Sequence, residues 1–199
     1  MTLLALNLGC GFGKFQDTEQ VKWINVDNSK ETQPHIIRNI LQGLPFDDDK
    51  FDLVYCSHFL EHFGGQDFIF VLNEIHRVLK TQGVLRVLSP FHKFWGAWTD
   101  PNHKVFFNEH SFEPWWFPNT SSWSMGIQGF FYPVVLEIAE EKEFRCIMKK
   151  IPSGALKSYT EQIGIKQGEH YLEPDWQNLL KNTKFYGEKT EVLNDEEKS

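Results

Sequence analysis

Cysteine is scarce in this sequence: Cys10, Cys56 and Cys146 are the whole complement of a 199-residue chain. An odd number of widely spaced thiols argues against a disulfide framework, and a reducing cytoplasm is the expected compartment. Positive charge is also in deficit. Lys and Arg total 20 against 27 Asp and Glu, a net charge of −7, and the basic residues are scattered rather than gathered into a stripe. Because phosphate neutralisation drives nucleic-acid binding, a nucleic-acid partner is not expected. No segment approaches the roughly 20 consecutive apolar residues that a membrane helix requires. Met1 to Leu8 carries no charged lead and no long apolar stretch, so neither a signal peptide nor a membrane anchor is expected.

What is present suits a folded domain. The apolar share of 41% and the charged share of 24% lie near ordinary globular values, so the chain can bury a core. Its length fits one unit, read here as residues 1–186, with a polar tail over 187–199 and an aromatic-rich segment over 91–129.

Short apolar runs alternate with crossover segments. Thr2 to Leu8 reads as a buried parallel strand that stops at Gly9-Cys10-Gly11-Phe12-Gly13. Val21 to Val26 is a second strand ending at Asp27, which leaves only Lys14 to Gln20 for the crossover, one or two helical turns at most. A weak third strand falls at His35 to Arg38, and Phe51 to Cys56 is a fourth. Gln66 to Lys80 spaces Phe68, Val71, Leu72, Ile75, Val78 and Leu79 along one helical face, and Gly83 is expected to stop that helix. Val84 to Leu88 is a fifth strand. Phe130 to Ile138 and Glu143 to Ile151 have the spacing of a hairpin, with Pro133 weakening the first, and Asp175 to Lys181 reads as a short helix. The pattern predicts an α/β sandwich on a mostly parallel sheet.

In open α/β sheets ligands bind beyond the carboxyl ends of the strands, near the point where strand order reverses. Three glycines in that first turn let the backbone bend sharply and approach a ligand with its amide groups exposed. Asp27 falls at the tip of the next strand, 18 residues after Gly9, where a carboxylate can accept from both hydroxyls of a ribose. The competing reading is a structural tight turn beside a solvated Asp27. A dinucleotide fingerprint would need glycine at position 14, which is Lys14, and no Gly-Lys-Ser/Thr follows to make a phosphate loop.

Taken in order, the run Leu6 to Gly13, then Trp23-Ile24-Asn25-Val26-Asp27, Leu44-Pro45-Phe46, Phe51-Asp52-Leu53-Val54, Leu60-Glu61-His62 and Arg77 to Gly83 resembles the class I S-adenosylmethionine-dependent methyltransferases, within them the compact type 11 group. The resemblance extends over about residues 3 to 110. It implies a Rossmann-like seven-stranded sheet, mostly parallel, whose last strand is antiparallel, and S-adenosylmethionine as cofactor. Carried over by position, Gly9, Cys10, Gly11 and Gly13 lie along the methionine part of the cofactor and Asp27 holds the ribose. Asn39 and Ile40 sit by the adenine, Ser57 and His58 close the site below the sulfonium, and Asn7 and Asn28 complete the cofactor-binding set. Three features depart from the family. Asn7 and Asn39 stand where acidic residues are common and supply no charge toward a cationic cofactor, and the shortened first crossover leaves the amino-acid end of the cofactor less covered.

Methyl transfer from a sulfonium needs no nucleophilic side chain, only acceptor and methyl held about 3 to 3.5 Å apart, with a general base for a high-pKa oxygen. His58, His92 and His103 are the catalytic candidates, beside Glu61 and His62, with local structural duty the competing reading for His58 and His62. His92, His103 and His110 lack the tight spacing of a metal trio, and no metal site is expected. Between Phe91 and Tyr132 lie 14 of the chain's 30 aromatic residues, either a lid over the acceptor or rings packed on a thin sheet or a dimer partner. The acceptor expected is a small molecule or a glycan, the assembly a monomer or homodimer. The ending Cys56-Ser57-His58-Phe59 of the fourth strand is unlike the sequence used for DNA amino-methylation. A non-catalytic nucleoside-binding module is the alternative that Asn7 and Asn39 favour.

Overall fold

A computed structural model describes residues 2–118, 120–152 and 155. Seven strands form one sheet: β1 (Leu3–Leu8), β2 (Val21–Asp27), β3 (Ile36–Ile37), β4 (Phe51–Ser57), β5 (Leu79–Pro90), β6 (Phe131–Ala139) and β7 (Glu143–Lys150). Their order is β3-β2-β1-β4-β5-β7-β6. The pairs from β3 to β5 are parallel, and β7 runs antiparallel to both of its neighbours. The expected hairpin is therefore present, with β7 slotted between β5 and β6. Pro133 sits where the β6–β7 register shifts, an edge-strand irregularity that accommodates a residue with no N–H to donate. The helix expected at Asp175 to Lys181 and the tail over 187–199 lie outside the described residues.

The one long helix among the described residues, α1 (Gln66–Val78), buries Phe68, Val71, Leu72, Ile75 and Val78 on a single face. It ends two residues earlier than its apolar spacing suggests. Leu79 is already extended and pairs with Phe51, so β5 starts there and not at Val84. Gly83 does not cap the helix. The left-handed residue is Gln82, and a Cβ at Gly83 would lie 2.7 Å from the Lys80 carbonyl oxygen, so glycine is required by a close pass inside an irregular strand.

No helix fills the first crossover. Asn7 and Asn25, directly paired across β1 and β2 and both buried, take its place as an anchor. Asn7 Nδ2 donates to Asn25 Oδ1 at 2.9 Å and to Gly13 O at 3.0 Å, while Asn25 bonds both the N–H and the carbonyl of Phe15. The Phe15 ring then stacks on Trp23 and meets Tyr55 edge-on.

The aromatic segment is mostly core. Phe91, Phe107, Phe112, Trp115, Trp116 and Phe117 are buried in the same cluster as Phe68 of α1 and Phe144 of β7. Of its short helices, α3 (Glu113–Trp116) buries its two tryptophans, while α2 (Trp95–Thr99) and α4 (Thr120–Ser124) present Trp95, Trp98 and Trp123 outward. No helix among the described residues is long and apolar enough to cross a membrane.

His76, in the last turn of α1, lies edge-on against Phe131 with Nε2 3.4 Å from the Ile151 carbonyl oxygen. Burial holds its imidazole down at about 4, with Lys150 adding repulsion. The unfolded chain then binds the extra proton between pH 6.5 and 4, so His76 contributes stability above that window that is lost as pH falls through it. In urea unfolding the wild type is expected to lose about 2–3 kcal/mol more than His76→Gln between pH 7 and pH 4.5. Equal losses would show that the ring is not buried as a neutral base.

Candidate functional site

Strand order reverses at β1, whose carboxyl end points into a cavity of about 320 Å3, at the lower end of the range of small-ligand sites. Leu8, Gly9 and Gly11 form its floor, Val26, Asp27 and Asn28 one wall, and Arg38, Asn39 and Ile40 the adjoining one. His58, Phe59, His62 and Phe63 close the opposite side. A larger concavity of about 410 Å3 lies at the other edge of the sheet, around Leu3, Asp52 and Lys80. Its position at the amino ends of the strands makes it the weaker candidate.

The glycine turn does not present a row of open amide groups, contrary to expectation. Gly9 N and Cys10 N both donate to Val26 O, Gly13 N donates to Cys10 O, and Gly11 N donates to Asp27 Oδ2 at 2.8 Å. What the turn offers a ligand is missing side chains. Gly11 has φ +49° and open space where a Cβ would stand. Gly9 has φ +69°, and a Cβ there would lie 2.0 Å from Phe59 Cδ2, so the ring that closes the far wall rests directly on bare backbone.

Asp27 is oriented from both sides. Its Oδ1 accepts from Ser29 N at 2.9 Å while Oδ2 takes the Gly11 amide, and each oxygen keeps lone pairs for a further donor. Asn39 caps the turn Ile40–Gln42, its Oδ1 accepting from Leu41 N at 3.0 Å. The 38–44 wall is braced from behind: Arg38 Nε donates to Gly43 O at 2.7 Å, Glu74 Oε2 accepts from Leu44 N at 2.8 Å, and Arg77 bonds the Leu44 and Phe46 carbonyls.

Among the predicted cofactor residues, Gly9, Gly11, Asp27, Asn28, Asn39, Ile40 and His58 share this cavity. Asn7, Cys10, Gly13 and Ser57 are not in its lining. Asn7 is buried behind the turn and its amide is engaged there, while Cys10 is buried and Ser57 pairs with Leu88 in the sheet. Arg38, Phe59 and Phe63 line the cavity and were missed. Only Phe59 left a trace in the sequence, as an aromatic just past a strand end.

Of the catalytic candidates, His58 is on the cavity wall at φ +49° with its Nδ1 3.4 Å from Glu61 Oε1. The Glu61 carboxylate pulls the His58 imidazole above its ordinary value, against partial burial. His103 reaches the site through His62, their ring centroids 5.0 Å apart. Its Nδ1 lies 2.7 Å from the Ala97 carbonyl oxygen, which can only accept, so Nδ1 carries the proton and Nε2 of the neutral ring keeps its lone pair. His92 is not in the cavity lining; its ring packs edge-on against Phe91, and its carbonyl accepts from Trp98 Nε1 at 2.6 Å.

A family model described as a methyltransferase domain matches residues 6–87, the stretch that builds β1 through most of β5. A protein of Methanocaldococcus jannaschii, itself named as uncharacterized, is 42% identical over 93 residues. That match takes in 43% of this chain and only 40% of the relative's length. Among solved structures, an S-adenosylmethionine-dependent methyltransferase of Archaeoglobus fulgidus superposes with TM-score 0.55 at 19% identity, over 75% of this chain and 86% of that one. YcgJ of Bacillus subtilis gives 0.54 at 16% identity, over 76% and 93%. A [4+2]-cyclase, SpnF, gives 0.52 at 15% identity, over 75% and 74%, so the shared fold by itself does not specify a reaction. Residues 6–87 thus match a methyltransferase-domain model, and the sheet order with a cavity at its carboxyl edge is the Rossmann-like fold that S-adenosylmethionine-dependent methyltransferases share.

Proposed function

We propose that this chain transfers a methyl group from S-adenosylmethionine to a small-molecule or carbohydrate-like acceptor, with the nucleoside seated in the cavity between Gly11, Asp27 and Ile40. One observation supports this above the others: the Asp27 carboxylate is fixed by the Gly11 amide at the lip of a cavity whose floor is open where a Gly11 side chain would stand. That cradle fits a sugar approaching backbone closely, with its two hydroxyls on one carboxylate. When bound, the cofactor supplies an already activated methyl group, so the protein's share is binding, orientation and exclusion of water. Ile40, Leu8 and Val26 offer apolar surface for the base, and Asn39 stands at its edge. Phe59 and Phe63, edge to face at 4.9 Å, keep water from the side where the methyl group would be presented.

The acceptor side is formed by His58, His62 and, behind them, His103, with α2 carrying Trp95 and Trp98 outward nearby in the chain. Trp98 is stacked on Phe106 at 3.8 Å, a preset aromatic face of the kind that sugars and rings pack against. The arrangement favours an enzyme over a silent nucleoside-binding module, because polar side chains converge on the wall opposite the ribose carboxylate. Calorimetry with S-adenosylmethionine and S-adenosylhomocysteine tests the reading. Wild type should bind both, and Asp27→Ala should weaken binding by about 1–3 kcal/mol, roughly 5- to 150-fold. An unchanged affinity removes the ribose contact from the account.

A further inference from the structure

Glu61 is the most exceptional polar side chain among the described residues. It is 1% exposed, and neither carboxylate oxygen has a hydrogen-bond partner; His58 Nδ1 stands at an ion-pair distance of 3.4 Å from Oε1. A buried carboxylate left in that condition is costly, and it calls for a cation. Two imidazoles converge on it. One ligand atom from each of Glu61, His62 and His103 lies within 4.8 Å of the others.

The backbone builds this convergence. Lys104 N and Val105 N both donate to the Glu61 carbonyl, at 2.7 and 3.1 Å, so the chain after His103 is tied to the same residue whose carboxylate the ring faces. His103 is further locked by its Nδ1–H on the Ala97 carbonyl, which turns the lone pair of Nε2 outward. That is how metal-ligating histidines are usually held, the non-ligating N–H on a backbone carbonyl. Asp100 Oδ2, 3.9 Å from Nε2, is too distant to bond the ring but adds negative potential.

We propose that Glu61, His62 and His103 bind a divalent transition-metal ion at the wall of the cavity. Two imidazole nitrogens and one carboxylate are donors of intermediate softness, suited to zinc, iron, cobalt or manganese and poorly suited to calcium. Metal–ligand bonds near 2 Å require the three atoms to close up from 4.8 Å by about 1 Å or more, a rotamer-scale adjustment. Three protein ligands leave at least one coordination position open. His62 also lines the nucleoside cavity, so the open position is available to an oxygen of the methyl acceptor. That last role rests on the methyl-transfer reading, whereas metal binding stands without it.

The test is titration of Zn2+ into the chelator-treated full chain by calorimetry, with Co2+ absorption reporting the donor set. Wild type should bind one equivalent of either ion. Glu61→Gln removes the anionic donor, and His103→Asn keeps an N–H for the Ala97 carbonyl while deleting Nε2; each should weaken Zn2+ binding roughly tenfold or more. Circular dichroism establishes that both variants are folded, and His103→Asn, the gentler change, decides the matter if Glu61→Gln is not. Absence of stoichiometric binding by wild type, or wild-type affinity in a folded His103→Asn, overturns the proposal. Asp27→Ala separates the two sites: it should weaken cofactor binding and leave the Zn2+ isotherm where it was.

Discussion

Gly9→Ala should lower the affinity for S-adenosylmethionine by roughly a hundredfold and destabilise the domain by about 2–4 kcal/mol, while Gly11→Ala should damage binding at a stability cost of only about 1–2 kcal/mol. Both glycines have positive φ, which costs a residue with a Cβ about 1–2 kcal/mol. They differ in what that Cβ meets. At Gly9 it would stand 2.0, 2.6 and 2.8 Å from three carbons of the Phe59 ring, so the ring must leave a wall it shares with Phe63 and the cavity must change shape. At Gly11 it would point into open space, leaving the fold under mild backbone strain and filling volume assigned to the nucleoside. Calorimetry and urea unfolding on the two variants provide the comparison. If Gly9→Ala retains wild-type affinity, the turn is not the cofactor's floor.

Trp116→Ala is expected to cost about 3–5 kcal/mol of folding stability, and Trp95→Ala less than about 0.5 kcal/mol. Trp116 is 1% exposed within the cluster that joins the 91–129 segment to the sheet, whereas Trp95 is 71% exposed. Deleting the first leaves a cavity that its neighbours fill only partly. Deleting the second removes a ring that packs only obliquely on Phe94. The pair separates two roles that the composition of the segment runs together: inward rings are part of the core that joins the segment to the sheet, and outward rings leave their faces exposed. A destabilisation below about 1 kcal/mol for Trp116→Ala would mean that the segment can lift away from the sheet.

The glycine turn, Asp27 at the next strand tip, the hairpin and the face of α1 are all legible in the sequence, since each depends on residue types a few positions apart. Periodicity reports which side of an element is buried, and glycine reports where a side chain has no room. Residues whose partners lie on another element were harder to read. Asn7 was expected beside the cofactor by analogy with acidic residues in the family. Its amide instead grips Asn25 and Gly13, a choice made possible by the pairing register of β1 and β2, which no local pattern announces.

Sequence alone determined the sheet-building strands, the glycine turn after the first of them and the class of fold, because hydrophobic alternation and backbone permissiveness are encoded within short windows. Only the tertiary structure decided that the turn's amides are engaged by Val26 and Asp27, that most rings of the aromatic segment are core, and that His103 comes to Glu61 and His62. Those outcomes depend on the path of long loops across the end of the sheet. That path is selected by the packing of the whole chain, and so residues about forty positions apart become neighbours without any spacing that foretells it.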